Sequence, residues 1–388
     1  MALKSNKIRI GLVGPSWPFR GGIAKFTTEL AIRLEAKGHL GSFISPHRQY
    51  PRFLYPGKTD RDDSACKKLS LNRSMYSYFE PWTWGKVITE IEKSNIDCVV
   101  VPHWSLASAA FLKYLISNSS KPVIPIVHNF GDHDSLIRLP RVSEWVLEEG
   151  SAFLHHNPEY SNLPFFKERS TSVMCKLLPV TPVKKCSSFM SKKKFGIPDG
   201  LTSFLFFGLI RPYKGLDTLL DAIEQLPDKT PVAFLIGGEP WRDKKRIEKR
   251  LNKLSKKFWI HSKLEWIAEQ ESSQWFSAAD AVVCPYVRAT GSGVLSQALA
   301  FEKPVLTTDT GSLAHVVTHG KNGLLSQPKS SIELCRNIQL FLEPSVRKTL
   351  QSGSRNQKKH SWDDYVSGVI HLAKNSTNRV GRETQWIQ

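Results

Sequence analysis

Apolar and polar positions along the chain follow two rhythms in turn. Residues 7–13 alternate and stop at Gly14, as a buried first strand would. Over residues 22–37 the period changes, and Ile23, Phe26, Leu30 and Leu34 fall on one helical face. Apolar runs of strand length then recur at 39–44, 97–101, 122–127, 152–155 and 173–178, with helical stretches between most of them. Residues 181–200 interrupt the alternation with Pro182, Pro198, Gly196 and the lysines 184, 185, 192, 193 and 194, and read as a linker. The rhythm then restarts: strand 203–207, helix 216–226, strand 232–237, helix 241–257, and strands at 263–266, 281–284 and 304–307. The chain after residue 330 reads as helical.

Strands that alternate with helices predict parallel sheet with right-handed crossovers. The expected class is α/β, with two doubly wound Rossmann-like lobes, 1–180 and 201–360, joined by the linker 181–200. A C-terminal helix at 361–375 is expected to pack back toward the first lobe, followed by a flexible tail at 376–388. In such sheets ligands bind at the carboxyl ends of the strands.

A length of 388 residues fits two cores, and 40% apolar with 23% charged residues is ordinary for a globular chain. Six scattered cysteines form no metal-binding spacing and read as buried thiols of a reducing compartment. The run 8–13 is short for a signal peptide, and His103 and Lys113 interrupt the apolar stretch 99–116, so a cytoplasmic protein is expected. The net charge of +19 invites a polyanionic partner, but it divides almost evenly on either side of Lys185 and marks neither lobe. Lys245, Lys249, Lys253 and Lys256 recur at helical spacing, as a solvated face or a membrane contact would.

Three strand-to-helix loops carry candidate chemistry. The first, residues 14–22, ends in Gly21-Gly22, where backbone N–H groups can approach an anion; it reads equally as a tight turn. The second, residues 207–215, offers Arg211 and Lys214 to a phosphate above the sheet, or is a solvated basic turn. The third holds Thr290-Gly291-Ser292-Gly293-Val294 at the start of a helix and suits a phosphate or a sugar hydroxyl.

These loops, each with its following helix, resemble the family-4 retaining glycosyltransferases, which have the GT-B fold. GGIAKFTTELAIRL is similar to that family's first loop and helix. FFGLIRPYKGLDTLLDAI is similar to its phosphate loop, and ADAVVCPYVRATGSGVLSQALAFEKPVL to its donor-sugar loop and helix. KNGLL and HSWDDYV match its usual tail. The resemblance implies an acceptor-side first lobe, a nucleotide-sugar-binding second lobe and an interdomain cleft. Two glutamates usual in the family are Ala289 and Gln297 here, and its usual phosphate-loop arginine is Leu209, with Arg211 as the substitute. Gln297 keeps a hydrogen bond to a ribose hydroxyl within reach.

His128, at the end of strand 122–127, matches the family position that contacts the donor sugar near the breaking bond; a hydrogen-bonded strand-end histidine is the alternative. His103 reads as structural. Asp132, His133 and Asp134 stand too close in sequence to converge on a metal ion, and the resemblance implies neither metal nor cofactor. A long aperiodic segment precedes residue 81, and within it Tyr50, Arg52, Phe53, Leu54 and Tyr55 alternate rings with a cation. That pattern suits a lipid-linked acceptor or an anionic membrane surface, or a loop packed on its own domain.

The expected function is retaining hexosyl transfer from a nucleoside-diphosphate sugar to a saccharide or lipid-linked acceptor, on the cytosolic membrane face, in envelope polysaccharide or glycolipid synthesis. A GT-B nucleotide-sugar epimerase or hydrolase would need cleft carboxylates, which Ala289 and Gln297 do not supply. A polyanion-binding protein would use the charge alone, and no nucleic-acid motif accompanies it.

Overall fold

The structure, a computed structural model, describes residues 7–49, 59–62, 69–105, 108–130, 140–169 and 172–383. Tyr50, Arg52, Phe53, Leu54 and Tyr55, the triplet Asp132-His133-Asp134, and Cys66 lie outside the described residues. The chain divides into two compact units, one running up to Leu177 and resuming at Trp362, the other from Leu178 to Ser361.

The first unit holds the strands β1 (Ile10–Val13), β2 (Leu40–Arg48), β3 (Asn72–Ser77), β4 (Cys98–His103), β5 (Val123–Val127), β6 (Phe153–His155) and β7 (Val173–Cys175). Its first helices are α1 (Gly22–Ala36), α2 (Trp84–Lys93), α3 (Ala109–Asn118), α4 (Pro140–Leu147) and α5 (Pro164–Lys167). The sheet is parallel, in the order β3-β2-β1-β4-β5-β6-β7. β1, β4 and β5 are buried throughout, which is why apolar residues dominate them. β3 was hidden in the aperiodic segment because Arg73 and Ser74 leave half of it in solvent.

The second unit holds β8 (Thr202–Phe207), β9 (Val232–Gly237), β10 (Trp259–Lys263), β11 (Ala281–Cys284), β12 (Val305–Thr308) and β13 (Gly323–Ser326). Its helices are α6 (Ser188–Phe195), α7 (Leu216–Glu224), α8 (Lys244–Leu254), α9 (Glu269–Ala278), α10 (Gly293–Ala300), α11 (Gly311–Val316), α12 (Ser331–Leu342) and α13 (Pro344–Asn356). This parallel sheet runs β10-β9-β8-β11-β12-β13, so the strand order reverses between β8 and β11. Phe204, Phe234 and Phe341 pack in one core layer, with ring centroids 5.7 and 5.5 Å from Phe204.

Several expectations need correction. Residues 188–195 of the expected linker are α6, capped by Ser187, whose side chain accepts from the Met190 N–H, and ended by Gly196 at φ 70°. The strand expected at 263–266 is β10, earlier in the chain and in register with β9 from Trp259↔Ala233 to Lys263↔Gly237. It is an edge strand of half-buried residues, so alternation marks it poorly. α8 starts at Lys244 and not at 241, because the Trp241 amide is committed to the Ile210 carbonyl at 2.9 Å. The tail expected from 376 continues as helix α14 (Trp362–Glu383), with Ser376 buried and its hydroxyl donating to the Leu372 carbonyl at 2.9 Å. Cys98, Cys284 and Cys335 are buried, but Cys175 and Cys186 are exposed, contrary to the expectation of buried thiols.

α14 packs on α1 within the first unit. The Phe26 ring lies 5.5 Å from both the Trp362 and the Tyr365 rings, and the Arg33 guanidinium sits 4.6 Å over Trp362. Among the described residues no helix is long and apolar enough to cross a membrane.

Candidate functional site

In the second unit the 207–215 and 285–294 loops leave β8 and β11, the two strands at the reversal of strand order. They meet there. The Val287 N–H donates to the Tyr213 carbonyl at 2.7 Å, and a Cβ placed on Gly208 would lie 3.0 Å from Lys214 Nζ and 3.2 Å from the Val294 side chain. Gly208 holds φ 94°, and Gly215 holds φ 71° with a would-be Cβ only 1.9 Å from the Pro285 carbonyl oxygen. A side chain at Gly215 would push the loops apart, and one at Gly208 would crowd the Lys214 ammonium in a left-handed backbone.

Lys214 ends a 3-10 turn, Pro212–Lys214, that aims its side chain inward. It is not the exposed loop residue that a basic turn suggests: it is buried at 8% exposure, with Nζ 5.8 Å from the centre of the Tyr286 ring. Burial lowers its pKa to about 8, Cys284 opposes the shift, and the Arg211 charge adds to it. Arg211 is half-buried, its guanidinium stacked 4.2 Å over Trp241. Two cations thus stand at the carboxyl ends of the strands, one held in a low-dielectric setting where it acts strongly on a bound anion.

Ser292 caps α10. Its hydroxyl accepts from the Leu295 N–H and donates to the Tyr286 hydroxyl, both at 3.1 Å. Thr290 and Val294 are buried, Gly291 is half-buried and Gly293 is exposed. Gln297, half-buried one turn further on, makes no side-chain hydrogen bond among the described residues. The structure therefore brings Arg211, Lys214 and the 290–294 segment together, with Gln297 on the helix that the segment opens. Tyr286 and Trp241 were missed by sequence reasoning. Tyr286 stands two residues after an apolar strand, which was the available signal; nothing local marked Trp241.

In the first unit, histidines stand at the carboxyl ends of three neighbouring strands: His103 on β4, His128 after β5 and His155-His156 at β6. The His128 N–H donates to the His103 carbonyl at 2.8 Å. Its ring is buried, meets Phe26 edge to face at 4.7 Å, and lies 4.6 Å from the His156 ring. Burial, then the neighbouring His156 and His103, hold its pKa well below the usual histidine value. A neutral His128 offers a hydrogen bond and no acid. His156 Nδ1 bonds the Lys176 carbonyl at 2.8 Å, which fixes its orientation. His156 was also missed, although the HHN run after an apolar strand marked it. Gly21, at φ 116°, and Gly22 open α1 on the surface with no side-chain cap, one turn before Phe26. Among the described residues no group of three His, Cys, Asp or Glu side chains could hold a metal ion.

Residues 188–360 match the family described as Glycosyl transferases group 1. A D-inositol 3-phosphate glycosyltransferase of Streptomyces bingchenggensis is 27% identical over 193 residues, 47% of this chain and 42% of that protein. The chain thus spans less than half the length of this curated relative. Among solved structures, sucrose-phosphate synthase from Thermosynechococcus elongatus superposes with a TM-score of 0.69 at 16% identity, covering 98% of this chain and 100% of that one. Anabaena HepE in complex with UDP-glucose superposes with a TM-score of 0.67 at 14% identity, covering 96% and 99%. The fold is GT-B, with two Rossmann-like lobes.

Proposed function

We propose that the chain is a retaining glycosyltransferase that moves a hexosyl unit from a nucleoside-diphosphate sugar to a saccharide or lipid-linked acceptor. The observation that carries this reading is the buried Lys214 ammonium at the strand-order reversal, under the loop that opens α10. A lysine kept there against its desolvation cost is a site for a charge that arrives with a ligand. The group 1 match at 188–360 and the UDP-glucose bound by Anabaena HepE support a sugar nucleotide as that ligand.

In this reading Lys214, Arg211 and the N-terminal amides of α10 meet the charge that develops on the leaving diphosphate. Gln297 takes a ribose hydroxyl, and the amides at Gly21 and Gly22 take an oxygen of the donor. Neutral His128 orients the sugar by a hydrogen bond. The acceptor hydroxyl attacks from the face that the diphosphate leaves and passes its proton to the departing phosphate oxygen. Side-chain cations supply the charge, so the proposal includes no metal and no bound cofactor. The resemblance in the donor loops and the +19 charge favour work at a cytosolic membrane face, in envelope polysaccharide or glycolipid synthesis.

The test is a thermal-shift panel of sugar nucleotides followed by product analysis with candidate acceptors. A ligand bound only by the folded protein raises its melting temperature. One nucleotide sugar should raise it, and its glycosyl unit should appear on an acceptor with the donor's anomeric configuration. No response to any sugar nucleotide overturns the reading. Release of free sugar in the presence of every acceptor, with no transfer, would make the chain a hydrolase.

A further inference from the structure

The second unit carries a surface that the glycosyl-transfer reading does not use. α6 is pinned by its inner face, where Phe195 packs 4.9 Å from Trp275 and 5.1 Å from His261, and Ser191 is buried. Its first turn points outward. Phe189 is 67% and Met190 60% exposed, and every residue from Lys184 to Met190 is exposed. Two large apolar side chains side by side on a fixed helix are costly to keep in water.

At the foot of α6 lies a cavity of about 310 Å³, lined in part by Lys185, Ser188, Asp280, Glu302, Lys303 and Arg355. Its two carboxylates are already taken. Asp280 pairs with Lys192 at 2.7 Å, and Glu302 is held by Lys185 at 2.6 Å and Lys359 at 3.1 Å. Lys303 turns its ammonium to the Ala279 and Ser277 carbonyls at 2.7 and 3.3 Å. Arg355 is exposed and has no ion pair among the described residues; the same holds for Lys184 and Lys193 beside the apolar pair. The cavity and its immediate partners therefore hold more cations than carboxylates.

An exposed apolar pair rimmed by cations fits a bilayer better than other partners. A nucleic acid would use the charge but not Met190, and a protein groove would not need surplus positive charge on every side. Neither a single apolar insertion nor a basic patch binds a membrane firmly alone, and here both occur within one short segment. We propose that the start of α6 and the cationic cavity at its foot dock this protein on an anionic phospholipid surface, with Phe189 and Met190 entering the interface and a headgroup phosphate held near Arg355. The inference stands whether or not the donor-site reading does.

The test uses the full chain, sedimented with vesicles of phosphatidylcholine alone or mixed with phosphatidylglycerol. The wild type should partition onto the mixed vesicles, weakly onto the neutral ones, and less as salt rises. Phe189→Ser with Met190→Ser should lower that partition about tenfold or more, with the melting temperature unchanged because both side chains are already exposed. Lys184→Glu with Lys193→Glu is the second variant, and should lower it about tenfold as well, the scale of two charges near an anionic surface. Equal binding to neutral and anionic vesicles, no binding by the wild type, or undiminished binding by both folded variants overturns the proposal. Failure here leaves any melting shift by sugar nucleotides intact, so it is distinct from failure of the donor site.

Discussion

The ammonium of Lys214 lies 5.8 Å from the centre of the Tyr286 ring, and the hydroxyl of that same tyrosine is fixed by the cap of α10. One aromatic side chain thus sits under the cation of one loop and braces the helix start of the other.

Lys214→Ala should weaken binding of a nucleoside diphosphate by about 1.5–3 kcal/mol, the scale of a charge-assisted hydrogen bond. Calorimetry on the folded variant measures it. Unchanged affinity would remove this loop from the site.

The same residue makes stability depend on pH. Burial lowers its folded pKa from 10.5 to about 8, so the folded protein gives up the proton before the unfolded chain does. Its contribution to stability therefore rises as pH climbs from about 8 to 10.5, and is at its least favourable below that window. Lys214→Met should raise the melting temperature of the ligand-free protein at pH 7 and flatten this rise, while shrinking the shift given by the nucleotide. A variant that melts lower at pH 7 would show that the ammonium is stabilising as it stands.

His128→Ala should lower kcat at least tenfold and change donor KM little, if its hydrogen bond tightens in the transition state. Steady-state kinetics with a saturating acceptor decides this. Because burial holds His128 neutral, the wild-type rate should show no histidine titration between pH 6 and 8 that this variant removes.

Gln297→Ala should weaken a nucleoside diphosphate by about 1 kcal/mol and leave inorganic pyrophosphate unaffected, since only the first carries a ribose. Equal losses for both would place the side chain at the phosphates.

Gly215→Ala should destabilise the fold by well over about 1 kcal/mol, because a Cβ would strike the Pro285 carbonyl and the backbone is left-handed. Gly22→Ala meets nothing within 4 Å and should melt close to wild type. Chemical denaturation of the two variants side by side checks the contrast.

What could be read from the sequence followed from how evenly each element is buried. β1, β5, β8 and β9 announce themselves because both faces are covered. β3 and β10 border solvent, and their apolar signal fades accordingly. α6 reads as linker because its own lysines, with Pro182 and Pro198 on either side of it, outweigh one inner face. Arg211, Lys214 and the 290–294 loop were legible as glycine-framed turns between strand and helix. The depth of Lys214 was not, since it depends on Tyr286 and Cys284, which only the fold brings near. The pairing of His128 with His156 was likewise invisible until β5 and β6 were seen to be neighbours.

The sequence order of the two units has a consequence for how the chain is made. Phe26 leaves the ribosome before the second unit, but Trp362 and Tyr365, which cover it, emerge only after the whole second unit has been synthesised. Until then the nascent first unit carries an unroofed aromatic face, of the sort that invites chaperones or misassembly. A premature stop just before Trp362 would spare every residue of the second unit and leave the first permanently unsealed. Damage to the codons of α14 would thus be felt in the unit translated before the second one.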